Sequence, residues 1–183
     1  MSESSYTLKN LPNEYDHHRG NLDASIVIVE YADFQCPFCA ATSPVLDKLF
    51  QTYDDICIIY RHFPILANHS NAGVAAVAAE AAGLQNHFWE MHHALFKSQH
   101  DLSAEKIFSV ARSLELNMRS FLNDIEDENL LQKVRNDYNL GLSDGVSATP
   151  ALFVNGIRFE GMPTFDELKS EIEQVLVDDQ SYL

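Results

Sequence analysis

The sequence predicts a mixed α/β fold in which one sheet is built from both ends of the chain, with a block of helices inserted between them. Three observations predict it. First, Val27-Ile28-Val29-Glu30-Tyr31-Ala32 is a short apolar, β-branched run, and it passes through a tight connection into Cys36-Pro37-Phe38-Cys39 and a helix. Second, the pattern from about Asn68 to Gly145 is helical throughout. Third, strands return after Gly145 and are followed by one last helix. The order is strand, helix, strand, helical block, hairpin, helix.

Each element has a local reason. Residues 1–20 are polar and aperiodic, so they read as an extended arm ending in a turn at Gly20, with His17 and His18 in a solvated loop. The first core strand spans about Ile26–Ala32, and the helix after it runs from Pro37 to about Tyr53. Pro44 inside that helix removes one hydrogen bond, which predicts a kink between the first turn and the rest. Asp55–Arg61 reads as a second buried strand, closed by Pro64, with Cys57 as a small apolar core residue.

Ala72–Ala82 is alanine-rich and strongly helical. Phe88, Met91, His92, Leu95 and Phe96 fall at helical spacing and form one apolar face. Helical stretches follow at about Ala104–Leu114, Arg119–Ile125 and Glu128–Leu140. Pro150–Val154, Asn155-Gly156 and Ile157–Phe159 make a hairpin with a two-residue turn. Thr164-Phe165-Asp166-Glu167 is a capping box that opens a final helix to about Val177, beyond which the acidic end is expected to fray. The divisions are therefore an arm at 1–20, a sheet-bearing domain at 21–67 and 146–183, and a helical subdomain at 68–145.

Composition narrows the function classes. With 183 residues, the chain is one domain, or one domain with a large insertion. A net charge of −15 argues against nucleic acid and anionic membrane as partners. No apolar run is long enough to span a bilayer, so no membrane insertion is expected. Residues 1–20 show no secretory leader, so Met1 taken as the native start places the chain in the cytoplasm; a chain trimmed of its leader would be periplasmic.

The chemistry concentrates at the first strand-to-helix corner. Cys36 stands at the mouth of a helix N-terminus, where unpaired N–H groups and the helix dipole favour an anion. A thiolate is that anion, and it is the nucleophilic form of cysteine. Cys39 lies one turn inside, close enough to close a disulfide. Cys36 is thus expected to be the exposed, acidic thiol and Cys39 the buried one. A structural zinc site normally takes four ligands. Here the only other cysteine is Cys57, and His62 and His69 lack a finger-like spacing. An inert structural disulfide is the remaining alternative. His87, His92, His93 and His100 have no carboxylate or cysteine frame and read as surface or helix-face histidines, so no metal and no cofactor is expected.

These pieces together resemble a thioredoxin fold with the helical insertion of the DsbA-like family. The resemblance covers nearly the whole chain. It rests on Cys36-Pro37-Phe38-Cys39, Arg61-His62-Phe63-Pro64, Phe88-Trp89-Glu90-Met91-His92 and Thr149-Pro150-Ala151-Leu152-Phe153-Val154-Asn155-Gly156. Within that family the chain is similar to DsbA-like domains found alone or fused to sodium/proton antiporters, which share an Asp-His arm with a Gly, here Asp16-His17-His18-Arg19-Gly20.

The resemblance implies a protein disulfide oxidoreductase acting through Cys36 and Cys39. Pro37, Phe38, Thr149 and Pro150 would face the substrate. It implies a cis bond at Thr149-Pro150, opposite the dithiol, leaving the preceding backbone free to pair with a peptide. It also implies a buried carboxylate at Glu30 that ferries a proton to or from Cys39, with a raised pKa. Arg61 would be either a basic neighbour or a salt-bridge partner of Glu30. Phe38 stands where the strongest oxidants of the family carry histidine, so a less oxidising disulfide is expected. The implied partners are protein or peptide disulfides and dithiols, with an unidentified redox partner that recycles the pair. A non-catalytic peptide-binding module of the same fold is the rival. Small-molecule glutathione chemistry is disfavoured by the presence of both cysteines.

Overall fold

The computed structural model describes residues 7–180, so the part of the arm at residues 1–6 lies outside it. The elements in chain order are β1 (His17–Arg19), β2 (Ile26–Ala32), α1 (Pro37–Thr52), β3 (Ile56–His62), α2 (Ala72–Gly83), α3 (Phe88–Lys97), α4 (Ala104–Ser113), α5 (Met118–Asp124), α6 (Glu128–Ser143), β4 (Ala151–Val154), β5 (Ile157–Arg158) and α7 (Phe165–Gln180). The sheet order is β1-β3-β2-β4-β5. β2 and β3 are parallel, joined through α1, and the other neighbours are antiparallel. Both central strands are apolar almost without interruption because both of their faces are covered.

Alternation along the strands sorts side chains into two layers. Ile26, Ile28, Ile56, Ile58, Leu152 and Val154 point to one face and pack on Leu46 and Leu49 of α1 and Leu168 and Ile172 of α7. Val29, Tyr31, Ile59 and Phe153 point to the other face, against Leu8 of the arm and Tyr138 of α6. A third core lies inside the helical block, where the alanines of α2 let Met91, Leu95, Ile107 and Phe121 approach closely. It is continuous with Phe34, Cys36, Cys39 and Tyr60.

The hairpin turn has Asn155 at φ 46° and Gly156 at φ 82°, the double left-handed conformation that a two-residue turn requires. Gly20 has φ 92°, and a Cβ there would sit 2.1 Å from the Ile56 carbonyl oxygen, so the chain turns there only with glycine.

Several expectations need correction. His17 and His18 do not lie in a loop. With Arg19 they form an edge strand paired to Tyr60, Ile59 and Ile58, because β3 would otherwise present an unpaired backbone edge. The second strand starts and ends one residue later than its composition suggests, at Ile56 and His62, and α7 continues to Gln180 rather than fraying after Val177. Pro44 lies inside α1, as the sequence reading placed it.

Arg61 does not pair with Glu30. In the parallel ladder Glu30 lies beside Tyr60, whereas Arg61 lies beside Tyr31, so Glu30 and Arg61 point to opposite faces. Arg61 is fully buried and donates through both Nε and an Nη to the two oxygens of Asp16, at 2.8 and 2.9 Å. It donates further to the Tyr31 hydroxyl and to the carbonyls of Asn10 and Leu11. Its role is to bind the arm to the sheet.

Candidate active site

The corner between β2 and α1 is held by polar contacts from outside itself. Asp33 is buried and accepts from the backbone N–H groups of Gln35 and Ile65 and from His69. Its carbonyl accepts from the Cys36 N–H. Gln99, from the segment after α3, donates to the carbonyls of Phe34 and Cys36. Neither Asp33 nor Gln99 stood out in the sequence; an acidic residue at the end of an apolar strand was the only available signal.

Cys36 is the N-cap residue of α1, with Pro37 in the first helical position and no side-chain cap. Pro37 and Phe38 are exposed. Cys36 itself is not the exposed thiol expected: it is 4 % accessible, against 0 % for Cys39. The Thr149 segment covers it, and the Cys36 Sγ donates to the Thr149 carbonyl at 3.2 Å. The Thr149–Pro150 bond is cis.

The two thiols have opposite electrostatics. Cys36 is pulled down to about 5, chiefly because the Cys39 thiol donates to it. Burial works against this; the Thr149 hydroxyl and the N–H groups of Cys39 and Phe38 add to it. The Thr149 hydroxyl is buried and otherwise lacks a hydrogen-bond partner, so formation of the thiolate gives it one. Cys39 is pushed well above its ordinary value by burial, by its donation to Cys36 and by the nearby Glu30 carboxylate.

Glu30 sits on β2 on the same face as α1. Burial pushes its pKa up to about 8, which Arg19 opposes and the charges of Asp47 and Cys36 reinforce. Its Oε1 has no hydrogen-bond partner, and neither does the hydroxyl of its neighbour Tyr60. Toward the surface, Asp47 is bonded to Arg19 at 2.7 Å and to His93 at 3.1 Å. Burial of Asp47 is outweighed by these two partners, and its pKa falls to about 2. Within this charged group on β1, α1 and α3, Arg19 and Asp47 bear on Glu30 in opposite senses while burial dominates, and sequence reasoning missed the group.

Beside the dithiol, Phe38, Val45, Pro150, Met162, Pro163 and Phe165 line an apolar groove of about 400 Å³. Cys57 is fully buried, and burial lifts it to about 11, which leaves it inert. His87, His92, His93 and His100 do not converge. His92 is buried on the apolar face of α3, His93 bonds Asp47, and His87 faces Glu90. Instead, His17, His62 and Glu80 meet.

The profile of the thioredoxin family matches residues 12–174. The chain belongs to that family. The fold is shared with a thioredoxin-like oxidoreductase from Silicibacter pomeroyi, at TM-score 0.80 and 22 % identity over 88 % of this chain and 92 % of the other. It is shared as well with BdbD from Bacillus subtilis, at TM-score 0.81 and 22 % identity over 93 % and 98 %. Wolbachia pipientis alpha-DsbA1 aligns at TM-score 0.78 and 22 % identity over 90 % and 92 %.

In sequence, the chain is 39 % identical over 157 residues to a protein named Na(+)/H(+) antiporter NhaA 1 from Mycolicibacterium vanbaalenii, covering 84 % of this chain and 25 % of that one. A protein of the same name from Salinispora arenicola is 36 % identical over 157 residues, covering 86 % and 24 %. The chain thus spans about a quarter of the length of these relatives. No helix among the described residues is long and apolar enough to cross a membrane.

Proposed function

We propose that the chain is a thiol–disulfide oxidoreductase that exchanges disulfides with protein or peptide substrates through Cys36 and Cys39. The observation that carries this is the division of the pair: one thiol held down at about 5 and the other held well above its ordinary value. A structural cysteine pair needs no such division. Near neutral pH it yields a ready nucleophile at Cys36 and a protonated resolving thiol at Cys39.

In the reducing direction the Cys36 thiolate attacks one sulfur of a substrate disulfide. That S–S bond breaks, a mixed disulfide forms, and the departing substrate sulfur takes up a proton. Cys39 then loses its proton to Glu30 in its ionised form, which at a pKa of about 8 is the minority near neutral pH and grows as pH rises. The Cys39 thiolate attacks the Cys36 sulfur and releases the second substrate thiol. The substrate disulfide is reduced to a dithiol and the Cys36–Cys39 dithiol is oxidised. The oxidising direction is the reverse, and either direction requires a second thiol–disulfide partner to restore the pair. Electrons move only between sulfurs, so no cofactor is called for.

Pro37, Phe38, Thr149 and Pro150 form the substrate-facing rim, and the apolar groove extends it with Met162 and Phe165. Main-chain pairing of a peptide beside Thr149 would tolerate varied side chains, as an enzyme with many disulfide substrates requires. Insulin disulfide reduction assayed with wild type and Cys36→Ser tests this reading. Activity in wild type alone supports it. Equal, background rates in both refute it and favour the peptide-binding module.

A further inference from the structure

α2 spells Ala-Gly-Val-Ala-Ala-Val-Ala-Ala-Glu-Ala-Ala-Gly, so Glu80 is its single polar side chain, and it is buried. A carboxylate in such a helix is costly unless something faces it. Two imidazoles do. His17 Nε2, from the edge strand β1, and His62 Nε2, at the end of β3, each lie 2.9 Å from the same oxygen, Glu80 Oε1. The three donor atoms lie within 4.8 Å of one another. The His17 ring is fixed by stacking on Phe88 at 3.4 Å and 6°, and the His62 ring is locked among Phe34, Tyr60 and Phe88.

We infer that His17, His62 and Glu80 form a binding site for one divalent first-row transition-metal ion. Two imidazole nitrogens and one carboxylate oxygen suit zinc, cobalt, nickel or iron and not calcium or magnesium, which take all-oxygen shells. An ion about 2.0–2.1 Å from each donor holds neighbouring donors roughly 3–3.5 Å apart. The two separations of 2.9 Å are therefore a few tenths of an ångström short, and the third, between the two histidine nitrogens, lies within 4.8 Å, so binding calls for a readjustment of the His17 side chain on its edge strand. The His17 side chain is 22 % accessible, so the group can be reached from solvent. The ligands come from the arm, the sheet and the helical insertion, so a bound ion clamps all three together. The alternative is a hydrogen-bonded triad with no affinity for metal.

The dithiol can itself bind zinc, so the test uses the oxidised protein, with Cys36→Ser/Cys39→Ser as a second background. Equilibrium dialysis against Zn²⁺ is expected to give one ion per chain, with a rise in Tm on saturation. Co²⁺ is expected to give visible d–d bands without a thiolate charge-transfer band. Glu80→Gln, which keeps shape and hydrogen bonding, should weaken binding at least tenfold and abolish the Tm rise. If that variant fails to fold, His17→Gln on the half-exposed edge is expected to show the same loss. Absence of binding in the oxidised protein overturns the site, as does Zn²⁺ binding that persists in both variants. Neither outcome touches the oxidoreductase reading, which involves none of these three residues.

Discussion

Replacing Glu30 with glutamine removes a titratable carboxyl from beneath the dithiol while keeping its shape. Burial holds this carboxyl protonated up to about 8, against an ordinary value of 4.5. Between those two values the folded chain carries a proton that the unfolded chain has released. Stability therefore falls as pH rises through the interval, by about 1.4 kcal/mol per pH unit, or about 5 kcal/mol in all. Above about 8 both states have lost the proton and the penalty stays constant. Glu30→Gln carries no such proton and escapes the penalty. Urea unfolding of the oxidised proteins, in which neither Cys36 nor Cys39 titrates, isolates the effect. The variant should gain several kcal/mol on wild type between about pH 5 and about pH 8, then hold that lead. The same variant should slow resolution of the mixed disulfide at Cys36. A stability difference identical at the two pH values would refute the buried, proton-holding Glu30.

The remaining predictions concern other parts of the molecule. Alkylation of the reduced protein should follow a single apparent pKa near 5 and label Cys36 well before Cys39 or Cys57; mass mapping that finds Cys57 first would contradict the assignment. Thr149→Val should raise that apparent pKa, because it removes a hydroxyl that stabilises the thiolate; an unchanged titration would show the hydroxyl to be idle. Arg61→Met should cost about 3–5 kcal/mol near neutral pH by leaving buried Asp16 without its partner. The Asp16 pKa is lowered in the fold, so the pair's contribution is present above the ordinary carboxylate range and is lost as pH falls below it. The deficit of Arg61→Met measured by denaturation should therefore shrink in acid.

What was legible in the sequence was what is encoded locally. The β-branched run before Cys36, the helical spacing of Phe88, Met91, His92, Leu95 and Phe96, and the Asn155-Gly156 turn each carry their own structural instruction within a few residues. The position of Cys36 at a helix mouth was equally plain. What stayed hidden depends on register between distant segments. Glu30 and Arg61 separate because the ladder sets Glu30 beside Tyr60 and Arg61 beside Tyr31, a detail that neither strand specifies alone. The edge strand at His17–Arg19 is too short and polar to announce itself, and with it went the His17–Glu80 contact and the Arg19–Asp47 pair. Glu80 alone in an alanine-rich helix was the one visible hint. The resemblance placed Thr149-Pro150 opposite the dithiol, as it is found, but that this segment, 113 residues away in the chain, buries the Cys36 thiol could not be read from the helix-mouth position.

The reduction potential of the Cys36–Cys39 pair, measured by equilibration with glutathione, tests the central claim most directly. A nucleophilic thiol with a pKa near 5 lies between those of thioredoxin, about 7, and DsbA, about 3.5. A more stabilised thiolate favours the reduced form and makes the disulfide more oxidising, so the potential should fall between about −270 mV and about −120 mV. A pair that forms no disulfide at any glutathione ratio, or one poised at or below about −270 mV, would contradict the account.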